Sequence, residues 1–201
     1  IPCSGIHDNY NGTIWDKTMF LHSDLSYAEV VDSYFPVSIW AYSILDYANF
    51  TNSYFGPPGE WSEINFEEGS MGNGTFLQGN SAIDALFDGT MMSHLFAYEN
   101  NFSMSSFVAS NLSIATLEMN DFTNADFSFA NLTNTSSYYN VWDGVDFSYA
   151  DLTNTSGYGN VWDGVDFSYA DLTNSTLDFD GATGITWYYT TCSSSGSSGS
   201  C

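Results

Sequence analysis

Hydrophobic residues return at every fifth position along most of this chain. Counting back by fives from Trp187 meets Ala182, Leu177, Leu172, Phe167, Trp162, Leu152, Phe147, Trp142, Leu132, Phe127, Phe122, Leu117, Leu112, Phe107 and Phe102, with Gly157 and Ser137 the exceptions. After a slip of one residue the count passes through Phe96, Met91, Leu86, Ser81, Phe76, Met71, Phe66 and Trp61. A second slip at Gly56-Pro-Pro-Gly59 leads to Phe55, Phe50, Leu45, Trp40, Phe35, Val30, Leu25, Phe20, Trp15 and Tyr10. Two places before these centres, small residues dominate: Ser23, Ala28 and Ser33 early, Gly69, Gly74, Gly79 and Gly89 next, then Ala115, Ala125, Ala130, Ala150 and Ala170. Neither the 3.6-residue period of a helix nor the two-residue period of a strand gives this pattern. A coil of square section does, with one pentad on each side and four pentads per turn. The centre and the small residue face inward, and the other three positions face water.

A longer repeat fixes the turn length. Residues 145–154 recur unchanged as 165–174, and 140–144 recur as 160–164. The spacing is twenty, four pentads, so side chains twenty apart are predicted to stack. The coil is predicted over 10–189, with register shifts near 56–60 and 97–101. Segment 1–9, with Cys3, precedes it, and a Ser/Gly-rich tail, 190–201, with Cys192 and Cys201, follows.

The consecutive pentads Ser110-Asn-Leu, Ala115-Thr-Leu, Asn120-Asp-Phe, Ala125-Asp-Phe and Ala130-Asn-Leu resemble the pentapeptide-repeat family, whose pattern is A(D/N)LXX. The likeness covers roughly residues 8–189 and is strongest over 110–180. It implies an all-β fold, a right-handed quadrilateral β-helix of about nine coils. At about 4.8 Å per coil such a rod is roughly 43 Å long. The resemblance also implies that Asp or Asn before a centre hydrogen-bonds the turn. Some members of the family bind type II topoisomerases as acidic rods resembling duplex DNA.

Core volumes support the coil. Where Gly157 becomes Leu177 one turn later, Trp162 becomes Ala182. Close-packed interiors require such compensation. Trp142, Trp162 and Phe167 are therefore read as core.

Charge narrows the functions. Acidic residues number 24 against one basic residue, Lys17, for a net charge of −23. A chain without Arg and with one Lys cannot grip nucleic-acid phosphates or an anionic membrane surface. No apolar run is long enough to span a membrane. The opening Ile-Pro-Cys reads as the start of a mature chain whose targeting segment has been removed.

Catalytic chemistry is not legible. His7, His22 and His94 are scattered and form no metal-spaced set, although His94 falls at an inward position of the frame. Asp126, Asp146 and Asp166 form one outward column, Asp151 and Asp171 a second, Asp143 and Asp163 a third. Neighbouring carboxylates about 5 Å apart in water repel by roughly 0.8 kcal/mol per pair. Ca²⁺ bridging these columns is the one cofactor the pattern admits, but no EF-hand loop is present. Acid–base catalysis needs an enclosed, perturbed pair, so the chain is read as non-enzymatic, with no cofactor.

Glycosylation acceptors N-x-[ST] occur at Asn11, Asn49, Asn73, Asn101, Asn111, Asn131, Asn134, Asn154 and Asn174, all at outward frame positions. N-linked glycans there imply a secreted protein. A rod this long keeps Cys3 and Cys192 too far apart for a bond, which needs Cα atoms within about 7 Å. A Cys192–Cys201 loop, or a bond from Cys3 to the tail of the next molecule, satisfies the geometry. A β-helix has open ends with unpaired N–H and C=O groups, and head-to-tail contacts generate filaments. The sequence therefore suggests an extracellular structural glycoprotein that associates with copies of itself. The alternatives are the DNA-mimic role that the family resemblance implies, and an ice- or ligand-binding surface built on the column Thr133, Thr153 and Thr173.

Overall fold

In the computed structural model, residues 75–80 and 82–192 are described, together with residues 12, 14, 18–19, 23–30, 33–35, 38–39, 49–51 and 54–55. The described residues are all-β and contain no helix. Three-residue strands at Phe76–Gln78, Phe96–Tyr98, Thr116–Glu118, Ser136–Tyr138 and Ser156–Tyr158 pair in parallel, each with the one twenty residues on. Asn49–Thr51 and Thr176–Leu177 complete this seven-stranded sheet at its two edges. Isolated parallel bridges at the same spacing, such as Asp126↔Asp146 and Asn131↔Asp151, carry the ladder around the other sides. Over the continuous stretch 82–192 the chain is a solenoid of stacked turns with four pentads in each. About six turns lie in the continuous stretch, against about nine expected for the whole chain. The coil reaches past 189, because Thr191–Cys192 pairs with Asp171–Leu172.

The pentad is a physical unit because the chain turns once in each. Two residues after a centre the backbone enters the left-handed region: φ is 60° at Tyr149, 58° at Asn154 and 68° at Gly144. A type II turn requires positive φ at its third residue. Its closing hydrogen bond runs from the N–H three residues on to the centre's carbonyl, as in Ser105 to Phe102, Ala125 to Phe122 and Ala150 to Phe147. At the fourth corner, after the three-residue strands, this bond is replaced. Buried Asn80, Asn100, Asn120 and Asn140 stack there, with Asn160 above them. Each Nδ2 donates to the carbonyl of a centre one coil below, Asn100 to Leu77, Asn120 to Ala97 and Asn140 to Leu117. Each backbone N–H donates to the next Asn's Oδ1. The side chains thus supply at this corner what the backbone supplies at the others.

The interior holds two facing aromatic columns. Phe87, Phe107, Phe127, Phe147, Phe167 and Trp187 stack at ring-centre distances of 4.4–5.3 Å. Phe102, Phe122, Trp142 and Trp162 stack at 4.3–5.7 Å and meet the first column at steep angles, 82° for Phe102 against Phe107. Such pairs add about 0.5–1.5 kcal/mol each beyond burial. Beside the second column, size is complementary on most rungs, Ala97 with Phe102, Ser137 with Trp142, Gly157 with Trp162 and Leu177 with Ala182, while Leu117 with Phe122 carries two large residues. A Cβ on Gly157 would lie 2.0 Å from the Ser137 carbonyl oxygen.

The register shift expected near 97–101 does not occur. Leu77, Ala82, Phe87, Met92 and Ala97 are the buried centres, in phase with Phe102, while Leu86 and Met91 are exposed. The count by fives cannot choose between adjacent apolar residues such as Met91 and Met92. Phe50 pairs with Leu77, 27 residues on rather than twenty, so the whole phase change falls between Phe55 and Thr75. The segment Gly56-Pro-Pro-Gly59 lies in that stretch, outside the described residues. Gly79 and Gly89 are therefore turn residues with positive φ, not inward small residues. His94 is likewise an exposed turn residue at φ 62°. Leu25, Ala28, Val30 and Ser33 are buried as the frame predicts.

Candidate functional surfaces

With the interior filled by stacked side chains, function falls to the outward columns and the ends. The outward Asp and Asn before each centre close a small turn. Asp126, Asp146, Asp151, Asp166 and Asp171 each accept the backbone N–H two residues on at 2.7–2.9 Å. Asn101, Asn111 and Asn131 do the same at 3.0 Å. A short polar side chain closes such a turn by accepting the backbone N–H two residues on. Among the described residues no group of three or more His, Cys, Asp or Glu converges as metal ligands would. The Asp columns are built of rungs, each closed by its own hydrogen bond. Asp24 uses the same device: hydrogen bonds from the Ser26 hydroxyl and N–H hold its carboxyl below the usual range.

The acceptor asparagines fall into two groups. Asn101, Asn111 and Asn131 are half-buried, with Oδ1 engaged. Asn134, Asn154 and Asn174 occupy one corner, exposed, with φ of 57–58°. Their column is tight, since Asn154 Nδ2 donates to Asn134 Oδ1 at 3.3 Å. Asn11, Asn49 and Asn73 have no described side chains. The column Thr133, Thr153 and Thr173 is half-buried, and the Thr173 hydroxyl is committed to Asp171. Cys192 sits on the last described rung and is disulfide-bonded. Cys3 and Cys201 lie outside the described residues.

Two aromatic edges were missed by the sequence pattern. Phe129, Tyr149, Tyr169 and Tyr189 share one corner at φ near 60°, and their rings stack in parallel at 4.9, 4.7 and 5.4 Å. Left-handed backbone costs an L-residue about 1–2 kcal/mol, and the neighbouring corners use Gly144 and Asn154 at the same position. Partial burial, the nearby Tyr149 and a hydrogen bond with Tyr188 raise the Tyr169 phenol above its ordinary value, in that order. At another corner Tyr138, Tyr139 and Tyr158 meet, and a hydrogen bond with Tyr139 is the main cause of a raised Tyr158 phenol. For the first edge the signal was present in the sequence, as Tyr at every twentieth position from 149 to 189.

The C-terminal end is less covered. On its last turn Phe179, Ala182, Ile185 and Trp187 are only partly buried.

Residues 143–178 match the family model for pentapeptide repeats, in eight copies. Among solved structures, the chain is similar to a trypsin-treated variant of QnrB1, a plasmid-mediated fluoroquinolone resistance protein. The TM-score is 0.50 at 15% identity, covering 87% of this chain and 90% of that one. HetL from the cyanobacterium Nostoc sp. strain PCC 7120, a pentapeptide repeat protein involved in heterocyst differentiation regulation, aligns at 18% identity over 92% of this chain and 87% of its own, with a TM-score of 0.32. A pentapeptide repeat protein of the Arabidopsis thaliana thylakoid lumen aligns at 25% identity over 49% and 66%, with a TM-score of 0.31. No curated protein matches the sequence.

Proposed function

We propose for this chain, a β-solenoid whose residues 143–178 match the pentapeptide-repeat model, a structural role without catalysis: an extracellular glycoprotein rod that joins end to end into a filament or matrix layer. The observation that carries this reading is the last turn, where Phe179, Ala182, Ile185 and Trp187 stay only partly buried on a coil that could continue. A second molecule stacked there would extend the same parallel ladder, and a heterologous contact of that kind repeats without closing. The outward placement of Asn101, Asn111, Asn131, Asn134, Asn154 and Asn174 supports glycan attachment. The disulfide at Cys192 supports an oxidising compartment. Acidic columns would keep such rods from clumping sideways. Negative-stain microscopy of the purified chain, beside Trp187→Asp, tests the assembly. Filaments that shorten in the variant support it, and discrete short rods from the unaltered chain at high concentration overturn it. An intact mass equal to the bare polypeptide, for protein secreted from its native source, overturns the glycoprotein reading.

One observation favours a second reading. The turn beginning at Asp143 carries Asp143, Asp146 and Asp151 on its surface. Three charges per turn of about 4.8 Å is about one per 1.6 Å, close to the one per about 1.7 Å of duplex DNA. An acidic rod of that density suits a DNA mimic acting on a type II topoisomerase. Inhibition of gyrase supercoiling by unglycosylated protein, lost when Asp143, Asp146 and Asp151 become Asn, separates the two readings.

A further inference from the structure

Tyr138, Tyr139 and Tyr158 form a cluster of phenols on the outer edge of two consecutive coils. Tyr138 and Tyr158 are Cα partners in the parallel ladder, with ring centres 4.9 Å apart. The Tyr139 and Tyr158 ring centres are 5.2 Å apart at 83°. Both are about half exposed, 50% and 54%.

The position of the Tyr139 ring has a local cause. It lies across Gly159, where a Cβ would come within 2.6 Å of its Cδ1. The two near-identical twenties diverge at this point. Ser137-Tyr-Tyr139 becomes Gly157-Tyr-Gly159, while 140–154 and 160–174 are identical. Loss of one side chain in the second copy makes room for the ring of the first. At the stacked corner Tyr149 and Tyr169 lie face to face at 4°, while Tyr188 meets Tyr169 and Tyr189 edge-on at 83°. At 83° the Tyr139 and Tyr158 rings stand edge to face, and each carries two carbons ortho to its hydroxyl.

We propose that Tyr139 and Tyr158 are an oxidative coupling site, at which a haem peroxidase with hydrogen peroxide joins the two rings as a dityrosine bridge between consecutive coils. Each phenol loses one electron and one proton. The two radicals combine through ortho carbons, forming one C–C bond, and the ortho hydrogens leave as the rings regain aromaticity. In total two C–H bonds break and two hydrogens leave with two electrons. The peroxide O–O bond takes them up, giving two waters. Rotamer motion of exposed side chains is fast, picoseconds to nanoseconds, so the small approach needed does not limit the reaction. The proposal holds whether or not the chain is secreted.

The test treats dilute folded protein with horseradish peroxidase and substoichiometric hydrogen peroxide. Dityrosine fluorescence and intact mass follow coupling, and Asp-N digestion with mass spectrometry maps it. The expected product is a monomer lighter by two hydrogens, with peptides 126–142 and 151–162 joined. Its yield per molecule is unchanged on tenfold dilution. Tyr139→Phe and Tyr158→Phe each remove that product, and Tyr138→Phe leaves it. Gly159→Asn, which suits the left-handed backbone, displaces the Tyr139 ring and lowers the yield several-fold. Circular dichroism confirms that each variant is folded. Coupling that appears only as concentration-dependent dimers, that spreads evenly over the exposed tyrosines, or that persists in Tyr139→Phe overturns the proposal.

Discussion

Replacing Asn120 by Ala strikes the one corner where side chains take the place of a backbone turn. Asn120 is buried. Its Oδ1 accepts from the backbone N–H of Asn100 at 3.0 Å and from Asn100 Nδ2 at 2.9 Å. Its Nδ2 donates to the Ala97 carbonyl at 2.9 Å and to Asn140 Oδ1 at 3.1 Å. Alanine removes all four bonds. The Ala97 carbonyl and Asn140 Oδ1 each lose one donor, and Asn140 Oδ1 keeps the backbone N–H of residue 120. The Asn100 N–H loses its acceptor inside the rod. A buried donor left unmade costs about 1–3 kcal/mol, and the weakened bonds add to it, for a total of about 2–5 kcal/mol. For a chain of this length each kcal/mol is about 2–4 °C, so the melting temperature should fall by roughly 5–20 °C. Thermal melting followed by circular dichroism reads this, with Ser148→Ala on an outer face as control. Asn120→Asp sharpens the test. A carboxylate cannot donate to Ala97, and burial disfavours its charge and raises its pKa. The folded form then binds a proton more readily than the unfolded form, so the variant recovers stability as pH falls. If Asn120→Ala melts within about 2 °C of the unaltered chain and of Ser148→Ala, the account of this corner is wrong.

Three further outcomes follow from the same geometry. Gly157→Ala should destabilise by about 1–3 kcal/mol, the usual cost of overpacking, because its Cβ meets the Ser137 carbonyl oxygen at 2.0 Å; urea unfolding midpoints measure it, and an unchanged midpoint would show that the backbone yields freely there. Ile114 is β-branched and half exposed at φ 61°, so Ile114→Asn should raise stability by about 1 kcal/mol through relief of the left-handed penalty; a lower melting point would contradict this. The raised Tyr158 phenol, held chiefly by its hydrogen bond with Tyr139, favours the protonated form in the folded state. Its contribution to stability is full below the ordinary tyrosine value and is lost as pH rises through the folded value. Ultraviolet titration of phenolate should therefore lose a late component in Tyr158→Phe, and an unaltered profile would refute the assignment.

The acceptor columns and the Asp rungs were legible because residues twenty apart must share a face once the turn holds twenty residues. Asn134, Asn154 and Asn174 needed no structure to be placed together. The Tyr139–Tyr158 cluster was not legible, because it depends on where a ring comes to rest, and that depends on the missing side chain at Gly159. Nor was the buried Asn ladder. By composition, Asn120 and Asn140 read as ordinary polar residues in slots elsewhere filled by Ala and Ser, and only the missing turn bond at that corner explains why an amide is needed.

What the sequence determined alone is the pentad, the turn of twenty and the sorting of side chains in or out. Those are periodicities, and a period survives without knowledge of any contact. The position of the phase change required the tertiary structure. Met91 beside Met92, and Phe96 beside Ala97, are equally apolar, so hydrophobicity along the chain cannot say which of each pair turns inward. Stacking decides it. A rung seats only in register with the rung below, and Phe102 paired coil upon coil with Ala82 leaves no room for a slipped turn between them.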